Sequence, residues 1–260
     1  MPHVRLSAAD WSFAANFPSP EQYYRVLKSL GYEAAEMVEP GRRAAAKAAG
    51  LRLLNIAGPS NLNRAHELEK NIAALKSAIA DAAAAGLEQL IVFSGNRGQA
   101  PGEPAITDDA GRRACIAALK GAATEAERAR LVMTLEVFNQ FDHPDYQCDS
   151  GAFAFDVARG VSSPAVKVLY DLYHMDRMKE DVADQVVGNL SYVAHLHVAA
   201  SPTRTAPTES SLPDYASIVR KIVAAGYRGF WGMEFSVRGD AMTELRESAA
   251  LFQRWSGEPG

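Results

Sequence analysis

Four ionisable side chains stand at or near the ends of short apolar runs in the second half of the chain. They are Glu136, Asp171, His197 and Glu234. Taken singly, each could be a capping carboxylate or a hydrogen-bonded core histidine. Burying a lone carboxylate is costly unless it is paired or metal-bound, so four such positions are hard to explain as core packing. Three carboxylates and an imidazole suit Mg²⁺, Mn²⁺, Co²⁺ or Zn²⁺, and an oxygen-rich set favours Mg²⁺ or Mn²⁺. The pattern predicts one divalent metal ion held by these side chains.

The same residues are suited to moving protons at carbon. Isomerising an α-hydroxy carbonyl requires removal of a proton from the carbon beside the carbonyl. A divalent metal can neutralise the charge that develops on the resulting cis-enediolate. One carboxylate can take the proton and a carboxylic acid on the opposite side can return it.

The elements that must position these residues alternate regularly along the chain. Short apolar runs predict eight strands, at Val4–Ser7, Ala34–Val38, Leu51–Ile56, Gln89–Phe93, Leu131–Val137, Val166–Asp171, Val193–Val198 and Phe230–Glu234. Helical patterns lie between them, at 19–30, 40–49, 65–85, 108–130, 149–160, 178–190, 213–225 and 240–255. Eight strand–helix units predict an α/β fold, a single (β/α)8 TIM barrel domain over residues 1–260, with its site at the carboxyl ends of the strands.

Composition limits the class of protein. A chain of 260 residues with a net charge of −4 has no overall basic character, which argues against a nucleic-acid partner. No apolar run approaches the length of a membrane span, and the first residues do not resemble a signal peptide. Cys115 and Cys148 do not form a close pair, which favours free thiols in a reducing compartment. We expect a soluble cytoplasmic protein.

Several motifs carry a family resemblance. They are the segments 135–139 (LEVFN), 142–146 (DHPDY), 170–175 (YDLYHM), 195–198 (HLHV), 226–229 (GYRG) and 232–235 (GMEF). The stretch from about Met133 to Glu234 resembles hydroxypyruvate isomerase and its relatives in the xylose isomerase-like barrel superfamily of sugar isomerases and epimerases. The string YDLYHM is the most specific of these motifs.

The resemblance implies roles for the matching positions. The four residues named first would hold the metal, and Glu136 and Glu234 would also exchange protons with the substrate. His174 and Arg204 would each contact a substrate oxygen. Arg204 could also grip a carboxylate bidentately, or it could be a solvated loop charge.

Two positions depart from the pattern of hydroxypyruvate isomerases. His197 stands where they usually carry glutamine, which is closer to the broader sugar epimerase pattern. The loop 200–209 keeps Arg204 but changes the glycines and the acid around it, which leaves the identity of the substrate open.

Other residues are weaker candidates. His143 either reaches the substrate or lies in a surface loop, and His195 is either a hydrogen-bonded core histidine or a partner of the metal ligands. Trp11, Phe13 and Phe138 could form an apolar wall of the pocket or cover the barrel mouth.

The leading hypothesis is a metal-dependent isomerase of a small, unphosphorylated hydroxy-oxo acid or sugar, which could form a homo-oligomer. A ketose 3-epimerase would use the same two glutamates and differ only in where the proton returns. A non-catalytic sugar-binding barrel is the alternative from another class. A DNA-repair endonuclease would need more metal ligands and a basic groove, and neither is evident.

Overall fold

A computed structural model describes residues 4–98 and 104–257. Nine strands form one sheet in these residues: β1 (Arg5–Ala9), β2 (Ala34–Glu36), β3 (Arg52–Leu53), β4 (Asn55–Ala57), β5 (Gln89–Val92), β6 (Val132–Glu136), β7 (Val166–Asp171), β8 (Val193–Val198) and β9 (Phe230–Met233). Their order is β3-β2-β1-β9-β8-β7-β6-β5-β4, and the pairings are parallel.

The order explains why there are nine strands rather than the predicted eight. β3 and β4 are two pieces of the predicted third strand and are separated only by Leu54. One piece pairs with β2 and the other with β5, so they stand at the two ends of the strand order. The nine strands therefore form a nearly closed barrel, which confirms the predicted fold class and corrects the strand count.

Ten α-helices occur in the described residues: α1 (Asp10–Phe13), α2 (Pro20–Ser29), α3 (Arg43–Ala48), α4 (Leu68–Ala85), α5 (Asp108–Ala129), α6 (Gly151–Val161), α7 (Leu172–Arg177), α8 (Val182–Gly188), α9 (Tyr215–Ala224) and α10 (Ala241–Trp255). The predicted helix 178–190 is wrong in extent, because α7 begins directly after β7 and α8 is a separate short helix. The short helix α1 was not predicted. It directly follows β1, where a four-residue segment is too short to show helical periodicity.

Internal contacts divide the chain into two compact units, one of residues 1–55, 181–190 and 195–260 and the other of residues 56–180 and 191–194. The prediction of one domain over residues 1–260 stays a prediction. In the first unit, β1 lies between β2 and β9, with Ser7 opposite both Ala34 and Gly232. Trp231 is buried and packs edge-on against Phe252 of α10, with ring centroids 5.5 Å apart.

In the second unit, β5, β6 and β7 are adjacent and α4, α5 and α6 are its longest helices. The helix α4 ends at Gly86, whose φ of 74° is the left-handed conformation that glycine adopts at helix ends. Tyr170 of β7 stacks on Phe155 of α6 at 5.8 Å. These apolar contacts hold the strand ends that carry Glu136 and Asp171.

Two further predictions can be compared with the structure. Cys115 and Cys148 are both buried and free, as predicted, and burial raises the pKa of the Cys115 thiol to about 12. Within residues 4–98 and 104–257, none of the helices combines the length and apolar character that crossing a bilayer requires.

Candidate functional site

The four predicted metal ligands are a group that could hold a metal ion. Glu136, Asp171, His197 and Glu234 each offer one ligand atom, and these atoms lie within 4.8 Å of one another. All four residues are at least nine-tenths buried. We call this group the candidate metal cluster.

The donor chemistry of the candidate metal cluster fits a divalent cation. Three carboxylates repel one another, and burial strengthens this repulsion because water no longer screens it. A divalent cation would offset the repulsion, and three oxygens with one imidazole nitrogen form a suitable ligand set for it.

Glu234 is held on both of its carboxylate oxygens. Oε1 accepts a hydrogen bond from the indole Nε1 of Trp11 at 3.0 Å, and Oε2 accepts one from Nη2 of Arg204 at 2.8 Å. Oε2 also lies 3.4 Å from Nδ1 of His197. Trp11 was expected either to form an apolar wall of the pocket or to cover the barrel mouth, and Arg204 either to contact the substrate or to be a solvated loop charge. Both are direct partners of Glu234.

The loop after β8 places Arg204. Its backbone N–H donates to Ala200, its carbonyl accepts from the N–H of Ser236, and its φ of 52° lies in the left-handed region. The guanidinium carbon lies 5.2 Å from the centre of the Trp11 ring. A non-glycine residue in this conformation is uncommon and is kept when surrounding contacts hold it. Here the hydrogen bonds of the turn direct Arg204 towards Glu234.

Glu36, at the end of β2, is a site residue that the sequence reasoning missed. It is fully buried, and its Oε2 accepts hydrogen bonds from Asn55 Nδ2 at 2.6 Å and from Nε2 of both His195 and His197 at 3.0 Å. Burial acts to raise the pKa of Glu36, but the two histidines outweigh it and hold this pKa well below its usual value. His195 is the hydrogen-bonded core histidine that the sequence suggested.

His197 therefore has a different partner on each ring nitrogen. Its Nε2 faces Glu36 and its Nδ1 faces Glu234, in the candidate metal cluster. A carboxylate that accepts the N–H of a metal-binding histidine fixes which nitrogen keeps a free lone pair. A signal was available in the sequence, because Glu36 is a charged residue inside the predicted strand Ala34–Val38, where a carboxylate is costly to bury without a partner.

Gly232 makes room for this arrangement in β9. It lies opposite His197 of β8 in the sheet. A Cβ at this position would overlap Oε1 of Glu36 and would lie 2.8 Å from Nε2 of His195. A glycine inside a strand often marks such a close approach.

In the second unit, the two carboxylate oxygens of Asp171 have different neighbours. One oxygen, Oδ1, accepts the backbone N–H of His174 and so caps the N-terminus of α7. The other, Oδ2, lies 3.7 Å from Nε2 of His174. A capping role and membership of the candidate metal cluster are compatible, because the carboxylate has two oxygens and the cluster requires one ligand atom from each residue.

His174 is oriented by Asn139. The backbone N–H of Asn139 donates to Nδ1 of His174 at 3.3 Å, and the side-chain Nδ2 of Asn139 lies 2.5 Å from the same nitrogen. A backbone N–H can only donate, so we infer that Nδ1 is an acceptor and that the ring carries its proton on Nε2. His174 is fully buried, and its Nε2, which carries the proton on this assignment, lies 3.7 Å from Oδ2 of Asp171.

Asp142 holds Asn139, the residue that orients His174. Asp142 accepts hydrogen bonds from Asn139, from the hydroxyl of Tyr173 and from Arg177. Burial acts to raise the pKa of Asp142, but these three partners lower it to about 2. The carboxylate stays charged at neutral pH and holds Asn139, which in turn holds His174.

Aromatic rings surround His174. His143 stacks on Phe138 with ring centroids 4.2 Å apart and meets His174 edge-on at 5.3 Å. Phe138 lies 4.9 Å from His174. His143 is therefore packed beside His174 rather than isolated in a surface loop, whereas Phe13 is fully buried against Phe235.

Proteins of similar sequence include isomerases. A mouse protein (Mus musculus) that carries the provisional name hydroxypyruvate isomerase is 28% identical over 94% of this chain and 94% of its own length. The hydroxypyruvate isomerase of Escherichia coli is 25% identical over 49% of each chain. The 2-oxo-tetronate isomerase of Cupriavidus necator is 27% identical over 54% of this chain and 55% of its own. These relatives support the predicted enzyme class.

Solved structures show the same fold. A structure titled AP endonuclease, family 2, from Brucella melitensis superposes with a TM-score of 0.81 and 21% identity, over 94% of this chain and 97% of that one. The 3-keto-D-glucoside 4-epimerase of E. coli superposes with a TM-score of 0.77 and 20% identity, over 97% and 100%. Residues 24–255 also match the family model described as xylose isomerase-like TIM barrel, and the chain therefore belongs to that family.

Proposed function

We propose that this chain is a divalent-metal-dependent isomerase of a small hydroxy-oxo acid or sugar, with hydroxypyruvate as the first substrate to test. The observation that carries the proposal is the convergence of three buried carboxylates and one imidazole in the candidate metal cluster. When bound there, Mg²⁺ or Mn²⁺ would supply electrostatic stabilisation of a developing negative charge.

Glu136 and Glu234 are the proposed acid and base. One carboxylate takes the proton from the hydroxyl-bearing carbon beside the substrate carbonyl, and the hydroxyl proton of that carbon passes to the former carbonyl oxygen. The other carboxyl group, protonated, returns a proton to the former carbonyl carbon. Trp11 and Arg204 hold the two oxygens of Glu234, so that this carboxylate keeps one orientation. Fixed orientation matters because proton transfer requires hydrogen-bond distance between the two atoms.

His174 and His143 are the proposed substrate-binding residues of the second unit. His174 donates from Nε2 to a substrate oxygen, since Asn139 occupies its Nδ1. His143, packed against Phe138, forms an edge of the same region. In the structure Arg204 is paired with Glu234, so we assign it first to positioning Glu234 and second to contact with substrate.

The reaction is tested with hydroxypyruvate and Mn²⁺ or Mg²⁺, by following the formation of tartronate semialdehyde. We expect Glu136→Gln and Glu234→Gln each to lower kcat by a factor of about 10² to 10⁴, the usual contribution of a general acid or base. Glu33→Gln is the matched control, because Glu33 is a partly exposed carboxylate paired with Arg5. Wild-type rates in either active-site variant would contradict its role in proton transfer.

A second measurement separates the isomerase from its alternatives. In heavy water, a ketose 3-epimerase incorporates deuterium at C3 of a ketose, whereas an aldose–ketose isomerase incorporates it at the carbon next to the new carbonyl. Binding of a sugar without turnover or exchange in any metal-loaded sample would instead indicate a non-catalytic sugar-binding barrel. We also propose that residues 1–260 form a single domain. The cytoplasmic location stays a prediction from the sequence.

A further inference from the structure

The second unit contains an open cavity of about 650 Å³ at the ends of its strands. Its lining includes Asn61, Arg64, Phe93, Asn96, Phe138 and Tyr146. A water molecule takes about 30 Å³ of liquid, so the cavity has room for roughly twenty waters. Such a volume lies in the range of sites for ligands much larger than a three-carbon acid.

The cavity adjoins the proposed catalytic residues of the same unit. The hydroxyl of Tyr146 donates to the backbone carbonyl of Glu136 at 2.9 Å. Phe138, also in the lining, packs against both His143 and His174. One wall of the cavity is thus built from residues that contact Glu136 and His174.

Arg64 is the one cationic residue of this lining, and no carboxylate among residues 4–98 and 104–257 forms an ion pair with it, although its charge acts on nearby Glu67. Its Nη2 donates to the backbone carbonyl of Gly98 at 2.5 Å. Its Nη1 is buried and has no hydrogen-bond partner within the same described ranges. A buried donor left without an acceptor destabilises the protein, and an anion is the acceptor that a guanidinium binds most strongly.

The other charged residue of the lining does not fill this role. The carboxylate of Asp145 accepts the backbone N–H of Gly98 at 2.7 Å. Arg97, the residue before Gly98, is already paired with Asp108 and Asp149. Arg204, the residue that the sequence suggested as a carboxylate grip, is paired with Glu234. Arg64 is therefore the guanidinium of this site that keeps hydrogen-bonding capacity for a ligand.

We propose that this cavity binds the far end of the substrate and that Arg64 binds an anionic group there. The inference rests on the proposed function and deepens it. The substrate class becomes a chain of four or more carbons that ends in a carboxylate or a phosphate. The phenyl rings of Phe93 and Phe138 flank the carbon chain, and Asn61 and Asn96 border it with polar groups.

The test measures binding of three unreactive four-carbon probes by calorimetry to the metal-loaded protein. Erythronate carries a carboxylate, erythritol 4-phosphate carries a phosphate, and erythritol is neutral. We expect at least one anionic probe to bind at least tenfold more tightly than erythritol, and the stronger of the two identifies the anion. Equal binding of all three, or no binding of either anion, would overturn the proposal.

Variants assign the effect to Arg64. Arg64→Gln should weaken binding of the anionic probe about 10- to 100-fold, as expected for losing a hydrogen bond to a charged group. Arg159→Gln is the matched control, because Arg159 is an exposed arginine of α6 paired with Asp156. If Arg64→Gln does not fold, Asn61→Asp places a negative charge in the same lining and should weaken the anion alone, leaving erythritol unchanged.

The outcomes of this test and of the proposed function can be told apart. Loss of anion binding in Arg64→Gln, in a protein that shows no turnover, supports the cavity and contradicts the isomerase. Turnover of hydroxypyruvate, with anion binding that does not depend on Arg64, supports the isomerase and contradicts the cavity.

Discussion

Glu36 accepts hydrogen bonds from both His195 and His197. The substitution Glu36→Gln tests whether Glu36 sets which ring nitrogen of His197 carries the proton and which can bind a metal. The substitution keeps the size of the side chain and removes its charge. It changes the acceptor of three side-chain hydrogen bonds, from Asn55, His195 and His197, in a fully buried environment. In the wild type, the carboxylate can only accept from Nε2 of His197, so the lone pair of the neutral ring is on Nδ1, the nitrogen that faces Glu234.

The stability effect follows from the hydrogen bonds. A bond to a charged acceptor contributes about 1.5–3 kcal/mol and a bond between neutral groups about 0.5–1.5 kcal/mol, so each of the three bonds loses roughly 1 kcal/mol. An amide is less costly to bury than a carboxylate, which offsets part of this loss. We expect the free energy of unfolding of metal-free protein to fall by about 1–3 kcal/mol, or several degrees in Tm.

The effect on metal binding has a different origin. A glutamine can turn its amide group and donate to Nε2 of His197, and the imidazole proton then moves to Nδ1. That nitrogen can no longer ligate a metal. Loss of such a supporting partner typically lowers metal affinity about 10- to 100-fold. We expect Kd for Mn²⁺ to rise by this factor, and kcat to recover largely when Mn²⁺ is saturating.

The assay is calorimetric titration of metal-free protein with Mn²⁺, together with kcat measured over a range of Mn²⁺ concentrations. Glu33→Gln is again the control, since Glu33 lies three residues away in a partly exposed pair, where salt bridges contribute about 0–1 kcal/mol. An unchanged Kd for Mn²⁺ in Glu36→Gln would refute the reasoning. So would a fall in kcat that saturating Mn²⁺ does not restore, because that result would place Glu36 in a role other than positioning His197.

Three further predictions follow from the same structure. Gly232→Ala should destabilise the protein by about 1–3 kcal/mol in denaturant unfolding, because the added Cβ overlaps Glu36, whereas Gly239→Ala, whose Cβ would lie 3.4 Å from the nearest side-chain atom, should cost much less. Burial raises the pKa of Asp10 to about 6, because it outweighs the lowering by the hydrogen bond from Tyr24 and by nearby charge. The contribution of Asp10 to stability is therefore greatest below pH 4, and it is lost as the pH rises to 6. Asp10→Asn should remove this dependence, and an unaltered pH profile of unfolding in that variant would contradict the assignment. Thorough chelation should abolish turnover, and Mn²⁺ at 100 times its Kd should add about 2.7 kcal/mol to the free energy of unfolding, which a thermal shift would detect.

Much of the candidate site could be predicted from the sequence. The ligand positions near the ends of β6, β7 and β9 were visible because Glu136, Asp171 and Glu234 are charged residues at or near the ends of apolar runs, and a buried carboxylate requires a partner. The fold class followed from the same alternation, since strand and helix periods differ and repeat along the chain. The nine-strand count was not visible, because the third apolar run shows no break at Leu54. The change of partner there depends on which strands flank it.

Only the tertiary structure decided which polar groups meet. Glu36 and His195 are 159 positions apart, and their hydrogen bond depends on the order and register of β2, β1, β9 and β8. The pairing of Arg204 with Glu234 likewise depends on the left-handed backbone conformation of Arg204, which no local sequence pattern predicts. Periodicity in a sequence reports whether a side chain is buried, because it reflects the local backbone. The choice of partner depends on distances between separate segments, which exist only once the chain has folded.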